Sequence, residues 1–102
     1  MSTADITVER QDGPTRGRYV VNLAPGIEAE MTYRKSPGVM SIDHTGVPPE
    51  FGGRGIAARL VDAAIADARA EGFKIEPLCS YVVAQFKRHP DWADLRAQPQ
   101  LP

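Results

Sequence analysis

What this chain of 102 residues lacks narrows its possibilities first. It has a single cysteine, Cys79, which excludes an intrachain disulfide and any cysteine-cluster metal site. Neither sign of charge is in excess. With 12 basic and 13 acidic residues the formal net charge is -1, which leaves no electrostatic footprint for nucleic acid. The basic residues are scattered except for Lys87-Arg88-His89, which reads as a solvated helix end. No apolar run is long enough to span a membrane, and Met1 to Asp12 lacks the apolar core of a signal peptide, so a cytoplasmic location is expected. Repeats, low-complexity blocks and long linkers are all missing. One domain over residues 1–102, with its core in residues 6–95, is the expectation.

What is present begins with β-forming segments. Ile6 to Arg10 reads as a short strand and Gln11-Asp12-Gly13-Pro14 as a turn. Arg18 to Leu23 is β-branched and aromatic, and Ala24-Pro25-Gly26 ends it. From Ile27 to Arg34 the residues alternate, with Ile27, Ala29, Met31 and Tyr33 on one side and Glu28, Glu30, Thr32 and Arg34 on the other. A partly exposed antiparallel sheet produces that pattern. Ser36-Pro37-Gly38 turns the chain into a fourth strand, Val39 to Thr45.

The character then changes. Phe51-Gly52-Gly53-Arg54-Gly55-Ile56-Ala57 is a glycine loop, and Ala57, Leu60, Val61, Ala64, Ile65 and Ala68 follow at helical spacing up to a stop at Gly72. A glycine loop opening a helix presents unpaired N–H groups at the positive end of the helix dipole, an anion site suited to phosphate. The bland alternative is a glycine turn that only redirects the chain. No Lys-Ser or Lys-Thr pair follows as in a Walker A loop, and no Gly-x-Gly-x-x-Gly spacing exists.

Phe73 to Cys79 reads as a fifth strand, and Tyr81 to Arg88 as a shorter helix capped by Ser80, with Val82, Val83 and Phe86 as its apolar contacts. His89-Pro90 ends that helix, Trp92 and Leu95 fold back onto the domain, and Arg96 to Pro102 reads as a frayed tail. A helix between two strands implies a parallel pair. The predicted class is therefore α/β (α+β): a mixed sheet with an N-terminal antiparallel meander, a βαβ crossover and a short C-terminal helix. Ligands in such sheets gather where strands end and a helix begins. That place collects His44, Thr45 and Val47, the glycine loop, and Leu78-Cys79-Ser80-Tyr81.

Three segments in this order, His44-Thr45-x-Val47, Gly53-Arg54-Gly55-Ile56-Ala57-x-x-Leu60-Val61, and Leu78-Cys79-Ser80-Tyr81-Val82 with Phe86-x-x-His89-Pro90, carry a resemblance. The chain resembles the minimal single-domain members of the GCN5-related N-acetyltransferase superfamily from Ile6 to about Leu95. The superfamily's acetyl-CoA loop has the pattern Gln/Arg-x-x-Gly-x-Gly/Ala. Gly55 and Ala57 match its last two positions, while Gly52 stands where glutamine or arginine is usual. The resemblance implies a sheet that splays between its fourth and fifth strands, with the acyl-pantetheine arm in the gap. It also implies pyrophosphate binding by backbone N–H groups from Gly53 to Ala57, with Arg54 adding charge and His89 near the cofactor. An N–H of a residue in Thr45 to Val47 would contact the acetyl carbonyl.

Three side chains are candidates for chemistry. Cys79 ends an apolar strand, where a cysteine is commonly a small buried hydrophobe. It also sits just before a helix start, where N–H groups favour a thiolate, and the resemblance places it beside the thioester. Tyr81 is the candidate acid for the departing thiolate, or else an aromatic anchor. His44 is the candidate base, since an imidazole titrates near neutrality, or else a structural hydrogen-bonding group. Strand alternation puts His44 and Asp43 on opposite faces, so they are not an obvious dyad. Neither histidine has a metal-ligand partner at useful spacing, so no metal is expected. The resulting expectation is an acetyl-CoA-dependent N-acetyltransferase acting on a primary amine, small molecule or protein, as a monomer or weak dimer. The alternative is a CoA-binding accessory protein with little catalysis.

Overall fold

The computed structural model describes residues 6–98. Five strands form one sheet in the order of the chain: β1 (Glu9–Asp12), β2 (Arg16–Ala24), β3 (Ile27–Ser36), β4 (Val39–Gly46) and β5 (Lys74–Pro77). The first four are antiparallel neighbours, and β5 runs parallel to β4. Between them lies α1 (Ile56–Glu71); α2 (Ser80–Arg88) follows β5, and a 3-10 segment spans Pro90–Leu95. The predicted mixed sheet, meander and crossover are therefore the fold.

One face of the sheet carries the core. Tyr19, Val21, Ala29, Met31, Tyr33 and Ile42 meet the apolar stripe of α1, Ile56, Leu60, Val61, Ala64 and Ala68. Burial of each large aliphatic side chain here contributes about 1.5–3 kcal/mol. Val82 and Phe86 from α2 join the same cluster, with Trp92 and Leu95 folded back as expected. The opposite face, called the outer face below, carries Arg18, Glu28, Glu30 and Thr32, residues that alternate with the core positions. Gly72 ends α1 in the left-handed region with φ 81°, a conformation that favours glycine.

Local patterns missed several details. β1 is displaced toward the C-terminus: Gln11 and Asp12 pair with Arg18 and Gly17 instead of turning. Tertiary partners hold Asp12 there, since it accepts hydrogen bonds from the Tyr33 hydroxyl and from Lys35 Nζ at 2.7 Å. Arg10 on the same strand clamps α1, with Nη1 3.2 Å from Asp67 and 2.6 Å from Glu71. Ile27 heads an alternating strand but is 38% exposed, because an irregularity between Asn22 and Ala24 pairs it at the turn. β5 is shorter than predicted. Ser80 is the first residue of α2 and not its cap; Cys79 holds the N-cap position without a side-chain cap bond. The supposed frayed tail begins later, for Arg96 bridges to Ile75 and Ala97 N–H donates to the Ile75 carbonyl at 2.8 Å. Residues 99–102 of that tail lie outside the described residues.

Candidate active site

The site is built where β4 and β5 part. Their register ends at Ile42 opposite Pro77, and the N–H groups of Leu78 and Cys79 both donate to the Ile42 carbonyl, at 2.9 and 3.2 Å. β4 runs on to Gly46 with β5 no longer beside it. The strand backbones diverge there, and the side chains of Thr45 on β4 and Cys79 just beyond β5 bridge the divergence. Thr45 Oγ1 and Cys79 Sγ lie 3.4 Å apart, and either can donate. Cys79 is half-buried and free of any disulfide.

A β-bulge sets which side chains face the line of divergence. Tyr33 pairs with Ile42 and Thr32 with His44, so Asp43 is an extra residue in β4. The bulge puts Asp43 on the outer face, where Thr32 Oγ1 donates to it at 2.6 Å, and keeps His44 on that same face opposite Thr32. The expectation that alternation separates Asp43 from His44 is thereby overturned. Beyond the bulge Thr45 returns to the core side, opposite Met31. Without the extra residue Thr45 would point away from Cys79.

His44 opens onto a cavity of about 610 Å³ on the outer face, lined also by Arg18, Glu28, Glu30, Gly46 and Val47. Arg18 Nη1 bridges the two carboxylates, 2.9 Å from Glu28 and 3.0 Å from Glu30. A residue that the sequence did not single out shapes this wall. A Cβ built on Gly46 would lie 3.0 Å from His44 Nε2, so the imidazole rests over the glycine. The only sequence cue was a glycine two residues from a histidine on one strand.

After β4, Pro49–Phe51 makes one 3-10 turn, closed by the Gly52 N–H on the Pro49 carbonyl at 3.1 Å. Gly53 and Gly55 then take φ of 77° and 75°, which demands glycine. Gly52 itself is extended, with φ -65° and ψ 156°. Gly55 is the N-cap of α1, no side chain caps the helix, and no acidic residue occupies its first turn. The first bond of α1 runs from the Arg59 N–H to the Gly55 carbonyl at 3.1 Å, so Ile56, Ala57 and Ala58 stand in the first turn, where N–H groups can hold an anion. Arg54 stands beside it with its guanidinium 5.2 Å from the centre of the Phe51 ring.

Tyr81 lies in the first turn of α2. Burial pushes its phenol pKa up, Arg88 draws it down and Asp62 adds to the rise. His89 is not gathered with the others. It closes the far end of α2, about 15 Å along the helix from Cys79, and stacks on Trp92 at 4.0 Å. Among the described residues no group of three or more His, Cys, Asp or Glu side chains could hold a metal ion.

A profile of the GCN5-related N-acetyltransferases matches residues 18–95. The chain belongs to this family. The match places an acyltransferase on the scaffold just described. It spans β2 through the C-terminal 3-10 segment and so includes the whole line of divergence and the glycine loop. The acetyltransferase is also similar to the NMR solution structure of a GCN5-like candidate N-acetyltransferase from Staphylococcus aureus, with TM-score 0.66, 27% identity, and 90% of each chain covered. No curated protein matches the sequence. No helix among the described residues of this acetyltransferase is long and apolar enough to cross a membrane.

Proposed function

We propose that this acetyltransferase uses acetyl-CoA and passes the acetyl group to a primary amine. The observation that carries the reading is the parting of β4 and β5 beyond Ile42, with the uncapped glycine loop following β4. The Thr45 and Cys79 side chains, in contact at 3.4 Å, move apart to admit the thioester. The pyrophosphate fits N–H groups from Gly53 to Ala57, with Gly52 allowing close approach and Arg54 supplying charge. The thioester lies where the strands part. An N–H of a residue in Thr45 to Val47 donates to its carbonyl oxygen and stabilises the negative charge that develops there.

The amine approaches from the outer face, where His44 opens onto the large cavity. His44 takes the proton from the attacking nitrogen as the N–C bond forms. The C–S bond then breaks, and the departing thiolate takes a proton from Tyr81, whose raised phenol pKa keeps that proton in place until it is needed. His89 has a supporting part, through its stack on Trp92.

The 3.4 Å contact between Thr45 and Cys79 favours a second route. In that route the Cys79 thiolate attacks the thioester, CoA leaves as its thiolate and takes a proton, and the amine then attacks acetyl-Cys79. Calorimetric titration with CoA and acetyl-CoA, followed by mass spectrometry, tests both. Binding with an unmodified Cys79 and transfer to an amine supports the direct route, and an acetyl group on Cys79 supports the second. Binding without transfer to any amine reduces the protein to an accessory CoA binder, and no binding sinks the proposal.

A further inference from the structure

The outer-face cavity has a polar end that proton transfer to His44 does not require. Arg18, Glu28 and Glu30 line it. The strand register fixes their places. Thr32 pairs with His44 and Glu30 with Gly46, so Glu30 is the diagonal neighbour of His44, about 7–8 Å away between backbones. Glu28 lies two residues further along β3 on the same face, about 7 Å beyond. Gly46 sets no side chain opposite Glu30, which leaves the way from His44 to that carboxylate clear along β4. Val47 and Pro48 add apolar wall to the same cavity.

The charged groups at this end are not equally free. Arg18 commits its donors within the cluster: Nε to Gln11 at 2.8 Å, Nη1 to Glu28 at 2.9 Å and Glu30 at 3.0 Å, and Nη2 to Glu28 at 3.4 Å. An ionised carboxylate offers about four acceptor sites, so Glu28 and Glu30 keep some for a ligand. Two carboxylates against one guanidinium also leave the trio net negative. A cation entering the cavity meets open acceptors. An anion meets an occupied guanidinium flanked by two like charges.

We infer that the acceptor is an aliphatic amine with a second cationic group, which Glu28 and Glu30 hold while the reacting nitrogen lies at His44; the inference rests on the proposed transfer from acetyl-CoA. The register suits a five-carbon spacer, since a diamine of that length, six bonds from nitrogen to nitrogen, spans about 7 Å when extended. Its methylenes cross Gly46 beside Val47 and Pro48. The near nitrogen attacks uncharged: its bond to the acetyl carbon forms, its proton passes to His44, and the C–S bond breaks. CoA leaves as its thiolate and takes the Tyr81 proton, while the far ammonium is unchanged. Glu28 and Glu30 thus select the acceptor and take no part in the chemistry.

The test uses three acceptors that differ only at the far end: 1,5-diaminopentane, pentylamine and 5-aminopentanoate. Wild type with acetyl-CoA is expected to prefer them in that order, with kcat/KM falling roughly five- to tenfold at each step, mainly through KM. In Glu28→Gln/Glu30→Gln the diamine and pentylamine come within about twofold of each other; if that double variant does not fold, Glu30→Gln alone should narrow the ratio. Equal kcat/KM for the two in wild type, or a preference that survives in the variant, overturns the assignment. A second readout is independent of turnover. Without acetyl-CoA, the Glu30 and Gly46 amide resonances shift with 1,5-diaminopentane at concentrations where pentylamine leaves them in place, or the assignment fails. Those shifts in a protein that acetylates no amine would remove the acetyl-transfer reading and leave the cation site standing.

Discussion

The Thr45 hydroxyl and the Cys79 thiol meet at 3.4 Å across the line where β4 and β5 separate. Thr45 lies on β4 and Cys79 just beyond β5, strands joined in parallel only as far as Ile42 and Pro77. In the direct route the thiol shapes the acyl pocket and forms no bond to the acetyl carbon. Cys79→Ala is therefore expected to keep turnover within about tenfold of wild type, while Tyr81→Phe, lacking the acid, loses about a hundredfold in kcat with little change in KM for acetyl-CoA. Steady-state kinetics on the two variants checks this. Abolished transfer in Cys79→Ala, with CoA binding intact, would put the acyl-enzyme in its place.

Gly46 is predicted to be a catalytic support through space alone. A methyl group there meets His44 Nε2 at 3.0 Å, so the imidazole must shift by a few tenths of an ångström from its place at the cavity. Gly46→Ala should lower kcat for amine transfer roughly tenfold, and His44→Gln about a hundredfold, with Kd for CoA unchanged in both. An unaltered kcat in His44→Gln would remove the histidine from the mechanism.

The glycine loop divides by backbone conformation. Gly53→Ala and Gly55→Ala each meet open space but must hold a left-handed φ, at a cost of about 1–2 kcal/mol, and both should weaken CoA binding. Gly52 is extended, and its added Cβ would stand 3.3 Å from the Pro49 carbonyl oxygen, so a side chain fits with a small adjustment. Gly52→Arg is predicted to tighten CoA binding roughly fivefold, equivalent to about 1 kcal/mol. Calorimetry on the three variants separates the positions.

Alkali should unfold the domain through two tyrosines. Burial, reinforced by the hydrogen bond to Asp12, pushes the Tyr33 phenol up to about 12, and burial with Asp67 raises Tyr19 further. Both folded pKa values lie above the ordinary 10.0, so the neutral phenols contribute stability that is fully present below that pH. Stability is lost as pH rises from the unfolded value through the folded one. Urea midpoints should be flat to about pH 9.5 and fall between pH 10 and pH 12. Tyr33→Phe should show a shallower fall, and an equal slope would count against the Asp12 pair.

Much of the fold was legible because it follows from periodicities that are local. The alternation of Ala29, Met31 and Tyr33 and the helical spacing from Leu60 to Ala68 each mark a buried face, and the structure buries those faces, with Ile56 in place of the half-buried Ala57 at the start of the helical one. Gly72 was legible as a stop because only its backbone mattered. What failed depended on partners distant in sequence. Nothing beside Asp12 announces Tyr33 and Lys35, which hold it in a strand. The bulge at Asp43 has no signature of its own, yet it decides that His44 faces the cavity and Thr45 faces Cys79. Gly46 escaped notice because a glycine near a turn is unremarkable until its neighbours are known.

The strand order repeats the chain order, and that bears on how the molecule assembles. Short turns join β1 through β4, whereas β5 reaches β4 only after the whole passage from Gly46 to Lys74, including α1. Bringing distant segments together carries a larger entropy of closure than forming a hairpin, and contacts of this kind form late. We predict that β4 and β5 join after the meander and come apart before it. Amide exchange at Leu78 and Cys79 should then be faster than in the middle of β2 and β3. The border proposed to hold the acyl group would be the last stitch in folding and the first to loosen.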